Sequence, residues 1–414
     1  MLDIKFIREN PGKLKKALKN RGVIFDVDYF LKIDEEKRKK IKEIEEMRHR
    51  QKDLDRGEMK EAKNLKNQRK EKEKILSEIE AETDILLKQI PNLSLEDVPF
   101  GKDESANKIL REVGEKPKFD FKPREYMEIA EKLDLLDIKR AAKVSGSRFG
   151  YLKNDAVLLE LALIQFVFES LVKKYNFIPV IPPVMIKEEM MQGMGYLEKS
   201  KIKNQKSKMN EEIYFLRNDE LVLVATSEQS IGPMHSGEIL KEEELPKRYI
   251  GFSTCFRREA GSYGKDTSGI LRVHQFDKME MFIFAKPEDS EKEHQLMLKI
   301  EEELMQALKI SYRVVQLCTG DLAWPSAATY DIEAWLPGQN QYRETHSTSN
   351  CTDYQSRRLN IRYKPANRFV HTLNGTATAL GRTIIAVIEN YQQKDGTVLV
   401  PEVLRKYLNK DIIS

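Results

Sequence analysis

The densest concentration of chemically capable side chains is the string Thr254-Cys255-Phe256-Arg257-Arg258-Glu259-Ala260-Gly261-Ser262-Tyr263-Gly264-Lys265-Asp266-Thr267-Ser268-Gly269, followed closely by Arg272-Val273-His274-Gln275-Phe276-Asp277-Lys278-Met279-Glu280. The pattern reads as a strand, a long glycine-bearing loop and a second strand. Arginines on a sheet beside a basic loop suit a polyanion, because guanidinium forks grip phosphate oxygens in pairs and keep their charge when partly desolvated. A phenylalanine beside them can stack on a base. The same residues also fit an ordinary hairpin with cross-strand ion pairs, and Arg-Arg-Glu alone supports no more than that. Near the carboxyl end, Asn374-Gly375-Thr376-Ala377-Thr378-Ala379-Leu380-Gly381-Arg382-Thr383 precedes an apolar helix over residues 384–391. Its small residues let a strand and a helix pack closely and deliver Arg382 into a pocket.

The elements that must position these groups belong to two kinds of chain. Residues 1–90 carry 25 basic and 20 acidic side chains, whereas residues 91–414 carry 46 and 47. The overall formal charge of +4 on 414 residues therefore hides a basic surplus at the amino end. Residues 34–90 contain no proline and one glycine, and are dominated by Glu, Lys, Arg, Leu and Ile, most of them good helix formers. The spacing predicts an antiparallel helical hairpin that breaks near residues 54–57. Leu76, Ile79, Thr83, Leu86 and Ile90 form a coiled-coil seam on its second arm, met by Ile41, Ile44 and Met47 on the first. Four prolines and two glycines between residues 91 and 124 mark a linker with loops. Beyond residue 126 the chain is mixed. A helix is predicted over residues 155–175, with Asp155 as its N-cap. Short β-branched or aromatic runs follow at 177–181, 221–225, 248–255, 278–285, 313–317 and 329–335, an order that favours an antiparallel sheet and an α+β fold. No GxGxxG or GxxxxGK[ST] string follows any of them. No run is apolar enough to span a bilayer, and the amino end lacks a signal-peptide core, so a cytoplasmic location is expected. The three cysteines, Cys255, Cys318 and Cys351, suit reduced thiols better than a disulfide framework.

Taken in order, these strings resemble the class II aminoacyl-tRNA synthetases, and among them the seryl-tRNA synthetase family. Phe256-Arg257-Arg258-Glu259-Ala260-Gly261-Ser262 with Arg272-Val273-His274-Gln275-Phe276-Asp277-Lys278-Met279-Glu280 resembles the second class motif. Residues 374–382 resemble the third, and residues 175–183 with the preceding helix resemble the first, which forms the dimer. Further resemblances are Thr226-Ser227-Glu228, Leu245-Pro246-Lys247-Arg248-Tyr249, Thr319-Gly320-Asp321-Leu322, Tyr342-Arg343-Glu344 and Ser349-Asn350-Cys351-Thr352-Asp353. The similarity runs over almost the whole chain. It implies an amino-terminal tRNA-binding unit, residues 1–106, with the hairpin at about 34–90. A class II catalytic domain, an antiparallel β-sheet flanked by helices, would fill residues 107–414.

The resemblance implies serine–tRNA ligation: serine and ATP give seryl-adenylate, and serine then passes to the 3′ end of tRNA(Ser), with tRNA(Sec) a further candidate. Arg257, Glu259 and Arg382 are the implied catalytic residues, and all three are present, which argues against an inactive paralogue. The implied ATP site adds Arg258, Val273, Phe276, Glu344, Thr345, His346 and Ser347, with Glu344 and Ser347 as holders of Mg²⁺. Thr226, Ser227, Glu228, Arg257, Glu280 and Thr376 are the implied serine site. A homodimer is implied, with the hairpin gripping the long variable arm of the tRNA and the 261–269 loop touching the acceptor stem. The chain departs from common family usage at Ser227, at Thr345-His346, at Thr376 where many relatives have Ser, and at Ala328, and its hairpin is shorter than in many bacterial relatives.

Overall fold

The computed structural model describes residues 1–53, 59–197, 208–260, 266 and 269–414. The expected helix break at 54–57 and most of the 261–269 loop lie outside the described residues. The chain divides into two compact units, Met1–Leu93 and Ser94–Ser414. The division falls at 93/94 rather than at 106/107 because the intervening segment is tied to the second unit. Leu95 N donates to Ala327 O and Thr319 N to Pro99 O, each at 2.9 Å, while Val98 is buried with Leu317, Leu322 and Ala328.

In the first unit, short helices α1 (Ile4–Glu9) and α2 (Pro11–Asn20) precede the hairpin arms α3 (Val27–Asp53) and α4 (Met59–Lys88). The first arm thus begins at Val27, earlier than the charge pattern suggests. Phe30, Ile33 and Ile44 of α3 are buried, as are Leu65, Ile79, Thr83 and Leu87 of α4. Leu87 takes the deep position expected of Leu86, which is only half-buried. Each buried large side chain is worth about 1.5–3 kcal/mol, whereas exposed pairs such as Arg48–Glu73 at 3.0 Å and Arg50–Glu61 at 2.7 Å are worth about 0–1 kcal/mol. Burial therefore holds the base of the hairpin, and helix propensity carries its outer part.

The second unit is built on eight strands: β1 (Lys108–Val113), β2 (Ile178–Val180), β3 (Lys247–Phe256), β4 (Gln275–Ala285), β5 (Tyr312–Gln316), β6 (Ala328–Leu336), β7 (Gln341–Asn350) and β8 (His371–Ala379). They lie in the order β1-β5-β6-β7-β8-β4-β3-β2. Every neighbouring pair is antiparallel except β2 with β3. Helices α5 (Asp155–Tyr175), α6 (Ser290–Ala307) and α7 (Leu380–Asn390) bury Leu159, Leu163, Leu298, Leu304, Ile384 and Ile388 in one core with Met279, Met281 and Ile283 of β4. Asp155 is the first residue of α5 and not its cap; that place falls to Asn154, and the Asp155 carboxylate accepts from Lys410 Nζ at 2.6 Å.

Strand period decides what β4 offers on its other face. Odd-numbered Met279, Met281 and Ile283 enter the main core. Even-numbered Phe276, Lys278 and Glu280 line a cavity, and Phe282 and Phe284 continue that face into a second small core with Met194, Leu240 and Tyr249. Two bulges adjust the neighbouring strands, one between Thr376 and Thr378 on β8 and one opposite the Ile332/Glu333 step of β6, where Thr345 is the extra residue on β7. Among the described residues no helix is long and apolar enough to cross a membrane, and all three cysteines are buried.

Candidate active site

A cavity of about 690 Å³ opens over the β7-β8-β4 part of the sheet. Its charged side chains form two groupings. Glu228 and Glu280 stand with Lys278, whose Nζ is 2.5 Å from Glu280 Oε2. Arg382, Arg257 and Arg272 all act on the Glu344 carboxylate, and Arg272 also stands by Glu259. Arg382 donates to the Glu344 backbone oxygen at 2.9 Å and reaches that residue's carboxylate at 3.2 Å. The Arg257 guanidinium lies over the Phe276 ring, 5.2 Å from its centroid, and its backbone N donates to His274 O at 2.9 Å. Arg272 approaches Glu259 at 3.6 Å and Asp266 at 3.4 Å.

Local backbone structure explains several of these placements. Glu259 has φ 50°, a left-handed conformation uncommon for a residue with a side chain. It is held by Arg148 Nη1, which donates to Glu259 O at 3.1 Å, and by Glu212, whose carboxylate accepts from Ala260 N at 2.9 Å. On β7 the bulge at Thr345 lets Glu344 and Thr345 both face the cavity, after which Ser347 and Ser349 follow at alternate positions. On β8 the residue facing Glu280 across the strands is Thr376. Ser349 and Asn374 are likewise opposite each other and both line the cavity.

Of the residues expected from the sequence, Thr226, Glu228, Arg257, Glu259, Val273, Phe276, Glu280, Glu344, Thr345, Ser347, Thr376 and Arg382 line this one cavity. Three do not. His346 points to the other side of β7, as strand alternation requires; it is buried, its Nδ1 is 2.8 Å from Thr345 Oγ1, and burial pushes its pKa down to about 4. Ser227 is fully buried against Ser253, with the two hydroxyls 2.7 Å apart. Arg258 turns its guanidinium onto Tyr214, 5.9 Å from the ring centroid, while its backbone N donates to Glu212 O.

The cavity also holds residues to which the sequence assigned no role: Tyr196, Lys278, Ser349 and Asn374. Lys278 was legible, since it sits midway between Phe276 and Glu280 at strand period. Tyr196 was not, because it follows the short helix Glu188–Met194 far from any of the motif strings.

An antiparallel sheet with arginines delivered from β3 and α7 into a cavity between strands defines a class II aminoacyl-tRNA synthetase catalytic unit, and residues 212–391 match the family model "tRNA synthetase class II core domain (G, H, P, S and T)". Residues 1–94 match the model "Seryl-tRNA synthetase N-terminal domain". The chain is 42% identical to a serine–tRNA ligase of Thermodesulfovibrio yellowstonii over 100% of both chains, and 43% identical to one of Nitrosopumilus maritimus over 99% of both. It superposes on the crystal structure of seryl-tRNA synthetase from Pyrococcus horikoshii complexed with ATP with a TM-score of 0.91 at 40% identity, covering 100% of this chain and 99% of that one. For the cytoplasmic enzyme of Naegleria fowleri in complex with AMP the values are 0.89 and 36%, with the same coverage. The chain belongs to the seryl-tRNA synthetase family.

Proposed function

We propose that this cavity joins serine to ATP and then to tRNA, with the residues in the following roles. The chain is a serine–tRNA ligase. What carries the assignment of roles is the division of charge inside one cavity, acids at one grouping for an ammonium and arginines at the other for phosphates. In the first step a serine carboxylate oxygen bonds to the α-phosphorus of ATP and pyrophosphate leaves. No protein nucleophile takes part, so the rate comes from positioning and from neutralising phosphate charge. Arg257 holds the α-phosphate and Arg382 the γ-phosphate of bent ATP; Phe276 stacks on adenine, Val273 touches the nucleotide through its backbone and Glu259 meets the adenine amino group. Glu228 and Glu280 face the serine ammonium, Thr226 borders it, and the Thr376 hydroxyl meets the substrate hydroxyl. A pocket built to bond a hydroxyl rejects alanine, whose methyl would leave Thr376 and its neighbours unpaired. In the second step a hydroxyl of the terminal ribose of tRNA bonds to the acyl carbon and AMP leaves.

Glu344 and Ser347 offer hard oxygen donors to Mg²⁺, and Asp331, directly across from Ser347 on β6, has a buried Oδ1 without a hydrogen-bond partner. An ion held by so few protein oxygens would complete its shell with substrate phosphates. When bound, it offsets phosphate charge.

The hairpin is assigned to phosphate contacts with tRNA(Ser), and tRNA(Sec) is a further substrate to test. Lys63, Lys66, Lys70 and Lys74 are all exposed and step by three and four along α4, a basic stripe on one helix face. A homodimer is assigned to the outer face of α5, where Val157, Leu158 and Leu161 are 40–50% exposed beside Ile178 and Ile181. The working compartment is assigned to the cytoplasm. Amino-acid-dependent ATP–pyrophosphate exchange across the twenty amino acids is the test; exchange that answers another amino acid and not serine refutes the assignment.

A further inference from the structure

Glu228 sits at the start of a single helical turn, Glu228–Ile231, and its side chain is almost wholly withdrawn from solvent. Two residues from elsewhere in the chain converge on its carboxylate. The Tyr196 hydroxyl is 3.1 Å from both Oε1 and Oε2, and Gln355 Nε2 donates to Oε1 at 2.8 Å. Each of the two is itself fixed. Thr372 Oγ1 donates to Gln355 Oε1 at 2.6 Å and Gln355 Nε2 also reaches Met194 O at 3.3 Å, so the amide is oriented with its donors towards Glu228. Tyr196 follows Gly195, which has φ 88° and lies where an added Cβ would meet the Tyr354 ring at 3.0 Å; its backbone N donates to Met191 O at 3.2 Å. The second acid of the pocket is already engaged by Lys278. The two carboxylates are therefore unequal: a lysine pairs directly with one, and the donors bonded to the other, among the described residues, are neutral.

We propose that Tyr196 and Gln355 are positioning residues for the serine subsite, clamping the Glu228 carboxylate in the orientation in which it receives the substrate ammonium. The inference rests on the reading of this cavity as the serine site. The ionisable groups around Glu228 are Glu280 and Lys278 from β4 and Tyr196 itself, with the Cys351 thiol in turn acting on Tyr196. Burial, then the charge of Glu280, raises the Glu228 pKa to about 7, while Gln355, Lys278 and Tyr196 each act to lower it. Tyr196 stays a neutral donor, because burial and Glu228 push its own pKa well up.

An ammonium is held by the ionised carboxylate, so serine binding passes through its half-point near pH 7, strengthening above that value and weakening below it. Removing either neutral donor raises the Glu228 pKa and moves the loss of serine binding to higher pH. The experiment is the KM for serine in ATP–pyrophosphate exchange between pH 6 and 9, for wild type, Tyr196→Phe and Gln355→Met, with the KM for ATP measured alongside. Near neutral pH each variant is expected to show a serine KM about tenfold above wild type, the weight of one charge-assisted hydrogen bond, a gap that narrows as pH rises without closing, with the ATP KM unchanged. A serine KM that is unchanged at every pH, or one raised together with the ATP KM, overturns the clamp while leaving the serine site standing. A wild-type chain that does not exchange with serine overturns the reading beneath it.

Discussion

Arg382 is joined to Glu344 twice, through the backbone oxygen at 2.9 Å and through the carboxylate at 3.2 Å. The main-chain bond fixes where the guanidinium stands at the mouth of α7. The ion pair is the part that must open if Arg382 is to take a phosphate and Glu344 a cation, so ATP and Mg²⁺ are expected to replace one internal pair with two external ones.

Arg382→Ala is accordingly expected to lower serine-dependent exchange by about 10²–10³, the range seen when one preorganised charge-stabilising donor is lost, with a thermal midpoint within a few degrees of wild type because the residue lies outside the core. Arg382→Lys keeps the charge but not the fork and should fall between. Chelation of divalent ions should abolish exchange in all three, and exchange undiminished in Arg382→Ala would remove the residue from the phosphate site.

Much of this site was readable from residue order because strand period is a strict rule. Phe276, Lys278 and Glu280 share a face by their numbers alone. Thr345 and His346 were not separable that way, since the bulge that admits Glu344 and Thr345 together is set by pairing with β6, which local sequence does not encode. Ser227 lies between two cavity residues, yet its partner is Ser253 on a strand distant in sequence. Arg258 is drawn to Tyr214 in the same way. The segment after residue 93 reads as linker by its prolines, but Val98 belongs to a buried cluster whose other members begin at Leu317. In each case the missing information is a contact between residues far apart in the chain.

The buried acid at the base of the hairpin gives a stability prediction. Asp34 is fully buried, with Arg8 Nε and Nη2 at 2.6 and 2.7 Å and Arg38 at 3.3 Å. Arg8→Met leaves a buried carboxylate with only the more exposed Arg38, and should destabilise the first unit by about 2–4 kcal/mol. Adding Asp34→Leu removes the stranded charge and should recover part of that loss. Urea denaturation of the whole chain, followed by helical circular dichroism, reads both. Equal stability of Arg8→Met and wild type would mean that Arg38 suffices.

The outer face of α5 gives an assembly prediction. Leu161 is 50% exposed in the single chain, with Leu158 one turn away at 42%, and an apolar stripe of this kind beside exposed Ile178 and Ile181 is suited to cover by a second copy. Leu161→Asp should shift sedimentation velocity from dimer to monomer without loss of helical content, since the side chain is outside the core. A wild-type chain that sediments as a monomer at micromolar concentration would remove the assignment.

The basic stripe on α4 separates the two halves of the reaction. Lys66 and Lys70 are exposed and point from the same helix face as Lys63 and Lys74, while the lining of the cavity proposed for ATP, among the described residues, comes from the second unit. Charge reversal by Lys66→Glu with Lys70→Glu should therefore leave serine-dependent exchange at the wild-type level and lower tRNA charging at least tenfold at moderate salt. Every phosphate deprived of its lysine takes close to one unit off the slope of log affinity against log salt, so the variant should also respond less steeply to salt than wild type. Removing the outer hairpin, residues 45–78, should abolish charging and still spare exchange. Charging that persists undiminished in both variants would place the tRNA-binding surface elsewhere, because no other change in these variants touches the chemistry of the cavity.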